Sequence, residues 1–267
     1  MNSLDKKIED LKIILRKLNK VVVAFSGGKD SFFLMKIALE TLGKKNVKIV
    51  FINSDFISEN DKKRIDYFGE KYDLDIIILN IKVLDNQKII KNPKDRCYFC
   101  KSFIFDNIID KAKDMGINAV LDGTTLSDMD EFRPGLKALE ELKILSPLKD
   151  AGISSAEIVN FLKNGDIDSY YLTSSACLAT RFPYDFELTE KEIRKFDRIE
   201  SFMVDSGIYP IRVRYIEEGI RIEAEEKNIN KIFEIKKRLI ALCKKEGIKF
   251  ITLDLEGLRS GVWDKNE

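Results

Sequence analysis

The chain opens on MNSLDKKIEDLKIILRKLNK, where apolar positions recur every three or four residues among mixed charges, the pattern of an amphipathic helix. Residues 21–25, VVVAF, form an unbroken apolar run, as expected of a strand buried on both faces. A glycine-rich turn follows, then a helical pattern over 31–42 that Gly43 stops. Apolar runs at 47–52 and 76–79 predict further strands, the second with no evident place in a sheet. Runs at 119–121 and 170–173 are shorter, each after a helix-like stretch and before small or polar residues. Strands alternating with helices predict an α/β fold, a doubly wound parallel sheet with ligands at the C-terminal strand ends.

Beyond Pro183 the rhythm changes. A charged amphipathic helix is predicted over 187–206, then a hairpin of 211–215 and 220–224 turning near Glu218-Gly219. Another helix, 228–246, and a strand, 249–255, complete a βαβ-like tail. The pattern therefore predicts two domains, 1–183 and a smaller α+β domain, 184–267.

Composition narrows the chemistry. Among 267 residues, 46 Lys and Arg face 45 Asp and Glu, so no cationic excess argues for a nucleic-acid partner. No apolar run reaches the roughly 20 residues that span a bilayer. The mixed-charge start does not read as a signal peptide, and a cytoplasmic location with no membrane partner is expected. There is no histidine, which excludes Ser-His-Asp and Cys-His nucleophiles and histidine-based zinc sites. Four cysteines in a reducing compartment do not suggest a disulfide framework.

The strongest local signal is Ser26-Gly27-Gly28-Lys29-Asp30-Ser31, set between a buried strand and a helix. Two glycines allow a tight turn and bring bare backbone N–H groups close to an anion. The helix N-terminus adds positive potential, and Ser26, Lys29 and Ser31 can donate further hydrogen bonds. A Walker A loop is absent. SGGKDS resembles the PP-loop of the ATP pyrophosphatase superfamily, which implies ATP cleavage between the α and β phosphates and a Mg²⁺ ion held with help from Asp30. Asn53-Ser54-Asp55 and Asp122-Gly123-Thr124-Thr125 end strands and are expected to border the nucleotide.

Cys97 and Cys100 form a CxxC after NPKDR, with Asp95 placed to N-cap a helix whose first turn would carry both thiols. Such a pair is open to three readings: a redox couple, a zinc knuckle, or two neighbouring core cysteines. Cys177, in SSACLATR, follows a predicted strand and so sits at the ligand end of the sheet. Cys243 falls in the apolar stripe of the last helix and reads as core.

Taken together, SGGKDS, NPKDRCYFCK, LDGTTLSDMDEFRPGLKALEE, SPL, ACLATRFPY and RVRY resemble the LarE family over nearly the whole chain. That resemblance implies an AMP-forming sulfur insertase for the nickel-pincer cofactor of lactate racemase. Its substrate would be the small nucleotide pyridinium-3,5-biscarboxylic acid mononucleotide, each carboxylate being adenylated and then converted to a thiocarboxylate. Family members with a single cysteine at the Cys177 position sacrifice its sulfur. The added Cys97 and Cys100 are similar to a branch in which three cysteines hold a [4Fe-4S] cluster, implying catalytic use of sulfide or another sulfur donor. A homo-oligomer is expected.

By the same resemblance, Arg212 and Arg214 match ligands of the substrate phosphate, and Glu200 and Glu223 match acidic positions near them. Residue chemistry alone reads the arginines as basic residues of an edge strand and the glutamates as surface charge. Arg133 and Asp128, on the loop after Thr125 with Asp130, are further candidates, as is Arg181, four residues past Cys177 and in reach of a substrate carboxylate or phosphate. The competing assignments are a tRNA thiolase, disfavoured by the missing basic surface, an amidating PP-loop ligase, and a nucleotide sensor with a CxxC switch.

Overall fold

The computed structural model describes residues 3–130, 134–163 and 176–259. Arg133 and the strand expected at 170–173 lie outside the described residues, as does the side chain of Asp130. The described chain divides into two compact, interleaved units. The first comprises Met1–Ser54, Lys63–Val83 and Asp95–Ser175; the second comprises Asp55–Lys62, Leu84–Lys94 and Ala176–Glu267.

In the first unit the amphipathic start forms α1 (Ser3–Leu18), which buries Ile8, Leu11 and Leu15. The valine run becomes β1 (Val21–Ala24), and the pattern after the glycine turn becomes α2 (Lys29–Leu42). β2 (Val47–Ser54), α3 (Glu59–Tyr72) and β3 (Ile76–Ile81) follow. Beyond the short helix α4 (Gln87–Ile90) come α5 (Arg96–Asp114), β4 (Ala119–Leu121), α6 (Pro134–Glu141), α7 (Pro147–Asp150) and α8 (Ser155–Lys163). The sheet order is β3-β2-β1-β4, all parallel, so 76–79 belongs to an edge strand beside β2.

Val21, Val22 and Val23 are wholly buried because β1 is central and both sheet faces are covered. Val22, Val50 and Val120 pack with Phe105, Ile108 and Leu139 of α5 and α6. Val21 and Val23, one residue out of phase, face the opposite layer. The order of strands reverses at β1, whose neighbours are β2 and β4. Open α/β sheets take ligands at such a reversal, which here falls at the C-terminal ends of β1 and β4.

The second unit forms around α9 (Glu190–Asp205), the antiparallel pair β5 (Ile211–Ile216) and β6 (Gly219–Ala224), α10 (Ile229–Lys245) and β7 (Phe250–Leu253), which runs parallel to β6. Thr189 caps α9 by accepting from the Glu192 amide at 3.2 Å. Phe182, Phe186, Phe196 and Tyr215 stack with ring centroids 4.6–6.3 Å apart. Segments outside the tail complete this unit. Asn92 is fully buried and donates its side-chain amide to the Pro183 carbonyl at 2.6 Å, while Arg194 donates to the carbonyls of Asp55 and Ile57. No helix among the described residues is long and apolar enough to cross a membrane.

Cys243 is wholly buried in α10, as the apolar stripe predicts, and burial pushes its thiol up to about 11. An unfolded chain ionises that thiol near 8.5, so the native state binds the proton more tightly. Stability contributed by the neutral thiol is complete below about 8.5 and declines as pH rises toward 11. Cys243→Ala should flatten this alkaline limb in urea-unfolding midpoints measured from pH 8 to 11. A limb of unchanged slope in the variant would count against the assignment.

Candidate active site

The phosphate loop is built from contiguous residues at the end of β1. Gly27 adopts φ +74°, and a Cβ there would lie 2.9 Å from Ile65 Cδ1, so only glycine suits the turn. Ser31 closes the loop from inside: its Oγ donates to the Gly28 carbonyl at 3.0 Å, accepts from the Ser26 amide at 3.3 Å, and lies 3.1 Å from Ser26 Oγ. The amides of the first turn of α2 have no carbonyl partners within the helix and present the positive end of its dipole. Lys29 Nζ pairs with Asp30 Oδ2 at 3.0 Å, and Ser155 Oγ donates to Asp30 Oδ1 at 3.2 Å. The Asp30 carboxylate is thus oriented from two sides beside the loop.

β4 brings the second wall. Asp122 accepts from Thr124 Oγ1 and, at 2.6 Å, from Ser146 Oγ, which fixes the turn carrying Gly123. A Cβ on Gly123 would stand 2.9 Å from the Ser31 amide nitrogen. Glycine here lets the β4 turn touch the backbone of the phosphate loop. Asn53, at the end of β2, donates to Asn80 Oδ1 across to β3 at 2.7 Å. Asp128 accepts from the Thr125 amide and hydroxyl at 2.8 and 2.9 Å, which makes it a turn-stabilising carboxylate.

The thiols divide between the units. Cys97, exposed, and Cys100, half-buried, lie at the start of α5 in the first unit, with Arg96 Nη2 3.6 Å from Cys97 Sγ. Asp95 occupies the N-cap position expected of it, but its side chain makes no capping bond; its carbonyl accepts from the Tyr98 amide instead. Cys177, half-buried, opens a 3₁₀ turn in the second unit. Among the described residues no three His, Cys, Asp or Glu side chains gather at metal-binding distance.

Around Cys177 the second unit assembles buried charges. Arg181 grips Glu200 through two bonds, Nε–Oε1 at 2.7 Å and Nη2–Oε2 at 2.8 Å. Its Nη1 donates to the Ala176 and Cys177 carbonyls and to Thr180 Oγ1. Burial opposes this charge, but Glu200 more than offsets it, with Cys177 and Asp61 adding to the effect, and the guanidinium is held above its ordinary value. Glu200 also accepts from the Val213 amide of β5 at 2.7 Å. On β5, Arg214 pairs with the fully buried Glu223 at 2.7 Å, and Arg221 shares the same oxygen at 2.9 Å. The other oxygen, Oε2, is buried without a hydrogen-bond partner among the described residues. Arg212 is half-buried; burial, then Arg181 and Arg214, press its guanidinium below the ordinary value.

Glu200 and Glu223 are therefore interior charges, and Arg181 serves first as a clamp on the Cys177 turn. Ser146 stands in the SPL motif, whereas Ser155 carries no signal in the sequence because its partner, Asp30, lies far along the chain. Arg64, buried on α3, also lacked a signal; its Cδ would lie 3.5 Å from a Gly27 Cβ.

Comparison with known proteins fits this geometry. The NAD synthase family model matches residues 2–97, the stretch that contains the phosphate loop. The pyridinium-3,5-bisthiocarboxylic acid mononucleotide synthase of Lactiplantibacillus plantarum is 30% identical over 261 residues, covering 98% of this chain and 95% of that protein. The chain belongs to the LarE family. An uncharacterized protein of Methanocaldococcus jannaschii is 33% identical over 96% of this chain and 98% of its own length. Similarity to the glutamine-hydrolyzing GMP synthase of Borrelia garinii, 30% identical over 129 residues, covers 46% of this chain and 24% of that protein. Full-length likeness thus sets the first two relatives apart from that partial match.

Because backbone flanks Gly123 on the loop side, Gly123→Ala should force the two walls apart at a cost of about 1–3 kcal/mol. ATP affinity measured by calorimetry should fall about tenfold or more. Unchanged affinity would show that β4 does not set the loop.

Proposed function

We propose that the protein is an ATP-dependent, AMP-forming sulfur transferase that converts carboxylates of pyridinium-3,5-biscarboxylic acid mononucleotide into thiocarboxylates, for assembly of the nickel-pincer cofactor. The observation that carries this reading is the end-to-end similarity to the L. plantarum synthase, which spans both the phosphate-loop unit and the unit bearing Cys177. The loop supports it chemically. Backbone amides at a helix N-terminus suit the departing diphosphate, and Asp30, beside them, would help hold Mg²⁺. Adenylation turns a poor leaving oxygen into AMP, so a sulfur nucleophile can attack the carbonyl carbon. The acyl–oxygen bond then breaks, and AMP leaves with the electron pair.

Cys97, Cys100 and Cys177 are the sulfur-handling residues of this reading. None is fully buried, none is joined in a disulfide, and the chain has no histidine to compete as a ligand. That donor chemistry fits an iron–sulfur cluster, and the start of α5 favours anionic groups at Cys97 and Cys100. When bound, a [4Fe-4S] cluster on three thiolates leaves one iron free to carry sulfide. Arg181 fixes the Cys177 backbone, and Arg212 offers a cation for the substrate's phosphate. A second reading, an amidating ligase, draws on the NAD synthase and GMP synthase similarities.

Anaerobically purified protein with ATP, Mg²⁺, sulfide and the biscarboxylate mononucleotide should release pyrophosphate and AMP and form thiocarboxylate in multiple turnovers. Iron and acid-labile sulfide should fall in Cys97→Ala, Cys100→Ala and Cys177→Ala but persist in Cys243→Ala. ADP as product would defeat the PP-loop reading, and amide formed from ammonia would establish the ligase. Loss of about 34 Da at Cys177, the mass of H₂S, with no more than one sulfur transferred per chain would show sacrifice of the cysteine.

A further inference from the structure

Asp30 is the one carboxylate of the phosphate loop, and two donors aim it. We infer that Ser155, at the start of α8, is a positioning residue for Asp30: its hydroxyl keeps the carboxylate in place beside the loop when Lys29 turns to a phosphate. The inference rests on the ATP-using part of the proposed function and not on sulfur transfer.

Lys29 Nζ lies 3.0 Å from Asp30 Oδ2, and Ser155 Oγ donates to Oδ1 at 3.2 Å. A carboxylate offers about four lone-pair sites, so both donors can be served at once. They differ in what else they can do. Lys29 is the cation of the loop, a point charge on a flexible stem, so a nucleotide phosphate draws it away from its neighbour. Mg²⁺ at Oδ2 would take over the charge that the ammonium balances there. Ser155 is neutral and has no competing anion to follow. Its bond to Oδ1 leaves Oδ2 open once Lys29 has turned away.

The frame behind Ser155 is held independently of its hydroxyl. Ser154 Oγ accepts from the Glu157 amide at 3.3 Å while Glu157 Oε2 accepts from the Ser154 amide at 2.9 Å, a reciprocal box that caps α8. Lys7 of α1 grips the same glutamate at 2.7 and 3.0 Å. The Ser155 amide donates to Ser127 Oγ at 3.1 Å, on the turn that follows the β4 wall. Phe33 of α2 meets Phe161 of α8 edge to face, with ring centroids 5.2 Å apart, and Ile158 and Leu162 of α8 are buried. Apolar packing therefore fixes α8 against α2, the helix that carries Asp30. Removing the hydroxyl frees the carboxylate without moving either helix.

Ser155→Ala tests the role, since alanine suits the first turn of a helix. In calorimetry of ATP binding to the full chain, without the carboxylated substrate, raising Mg²⁺ should tighten wild-type affinity. The Mg²⁺ concentration that gives half of this gain should rise about tenfold in Ser155→Ala, as for loss of one hydrogen bond to a charged group. Ser155→Thr, which keeps the hydroxyl, should restore most of the response. Affinity for ATP in EDTA should stay within about threefold of wild type, a split that general damage to the loop would not give. In an Asp30→Asn background, Ser155→Ala should leave the residual Mg²⁺ response unchanged. A half-point within about twofold of wild type, or an equal loss of affinity in EDTA, would overturn the inference and leave nucleotide binding by the loop standing. Wild-type affinity indifferent to Mg²⁺ would overturn the metal-holding role of Asp30, and the inference with it.

Discussion

The ion pair of Arg181 with Glu200 constrains the whole second unit, because neither charge has water to fall back on. Bringing a carboxylate and a guanidinium out of water costs several kcal/mol each, and only close, two-pronged geometry offsets it. The chain meets that demand by bringing three elements to one point. The Cys177 turn supplies Arg181, α9 supplies Glu200, and β5 supplies the Val213 amide. Once the pair is made, the register of α9 against β5 is set. Apolar residues could fill the same volume with little loss of stability. They could not hold the carbonyls of Ala176 and Cys177, which is where the remaining donors of Arg181 go.

Much of the fold was legible because its signals are local. Three consecutive valines can be buried together only where a strand is covered on both faces, and β1 is the central strand. The pattern over 31–42 and 187–206 found α2 and α9 to within a few residues. The strand at 76–79 was visible but its place was not, since Asn80 interrupts the apolar run; in the sheet Asn80 pairs with Asn53 at the strand ends. The share of residues 84–94 in the second unit had no signal. Asn92 reads as a loop residue, and its burial follows from acceptors about ninety positions away in the chain, at Phe182 and Pro183.

The candidate site shows the same boundary between local and distant information. SGGKDS could be read directly because its chemistry comes from adjacent backbone amides and a serine that bonds within the loop. Arg212 and Arg214 are two residues apart on β5 and so share one of its faces, as any alternate pair on a strand does. Their difference in depth was not legible, because it is decided by the neighbouring strand, where Glu223 meets Arg214 from β6. Glu200 and Glu223 read as surface charge for the same reason: an isolated glutamate on an amphipathic helix or strand gives no hint that an arginine closes over it.

The placement of charge also bears on which anions the second unit can select. With 46 basic and 45 acidic residues, the chain offers little long-range attraction to a polyanion. Nucleic acids are held by many exposed cations at once, with affinity that rises as counterions are released. Here the interior arginines 181 and 214 are neutralised at contact distance by glutamates, and Arg212 is pressed by them while half-shielded from water. A single shielded guanidinium gains most from a compact dianion that can approach it closely, and little from an extended backbone that must stay solvated. On the proposed sulfur-transfer reading, this arrangement would suit the terminal phosphate of a small nucleotide through local desolvation and hydrogen bonding, and would disfavour a polymer without needing a steric barrier.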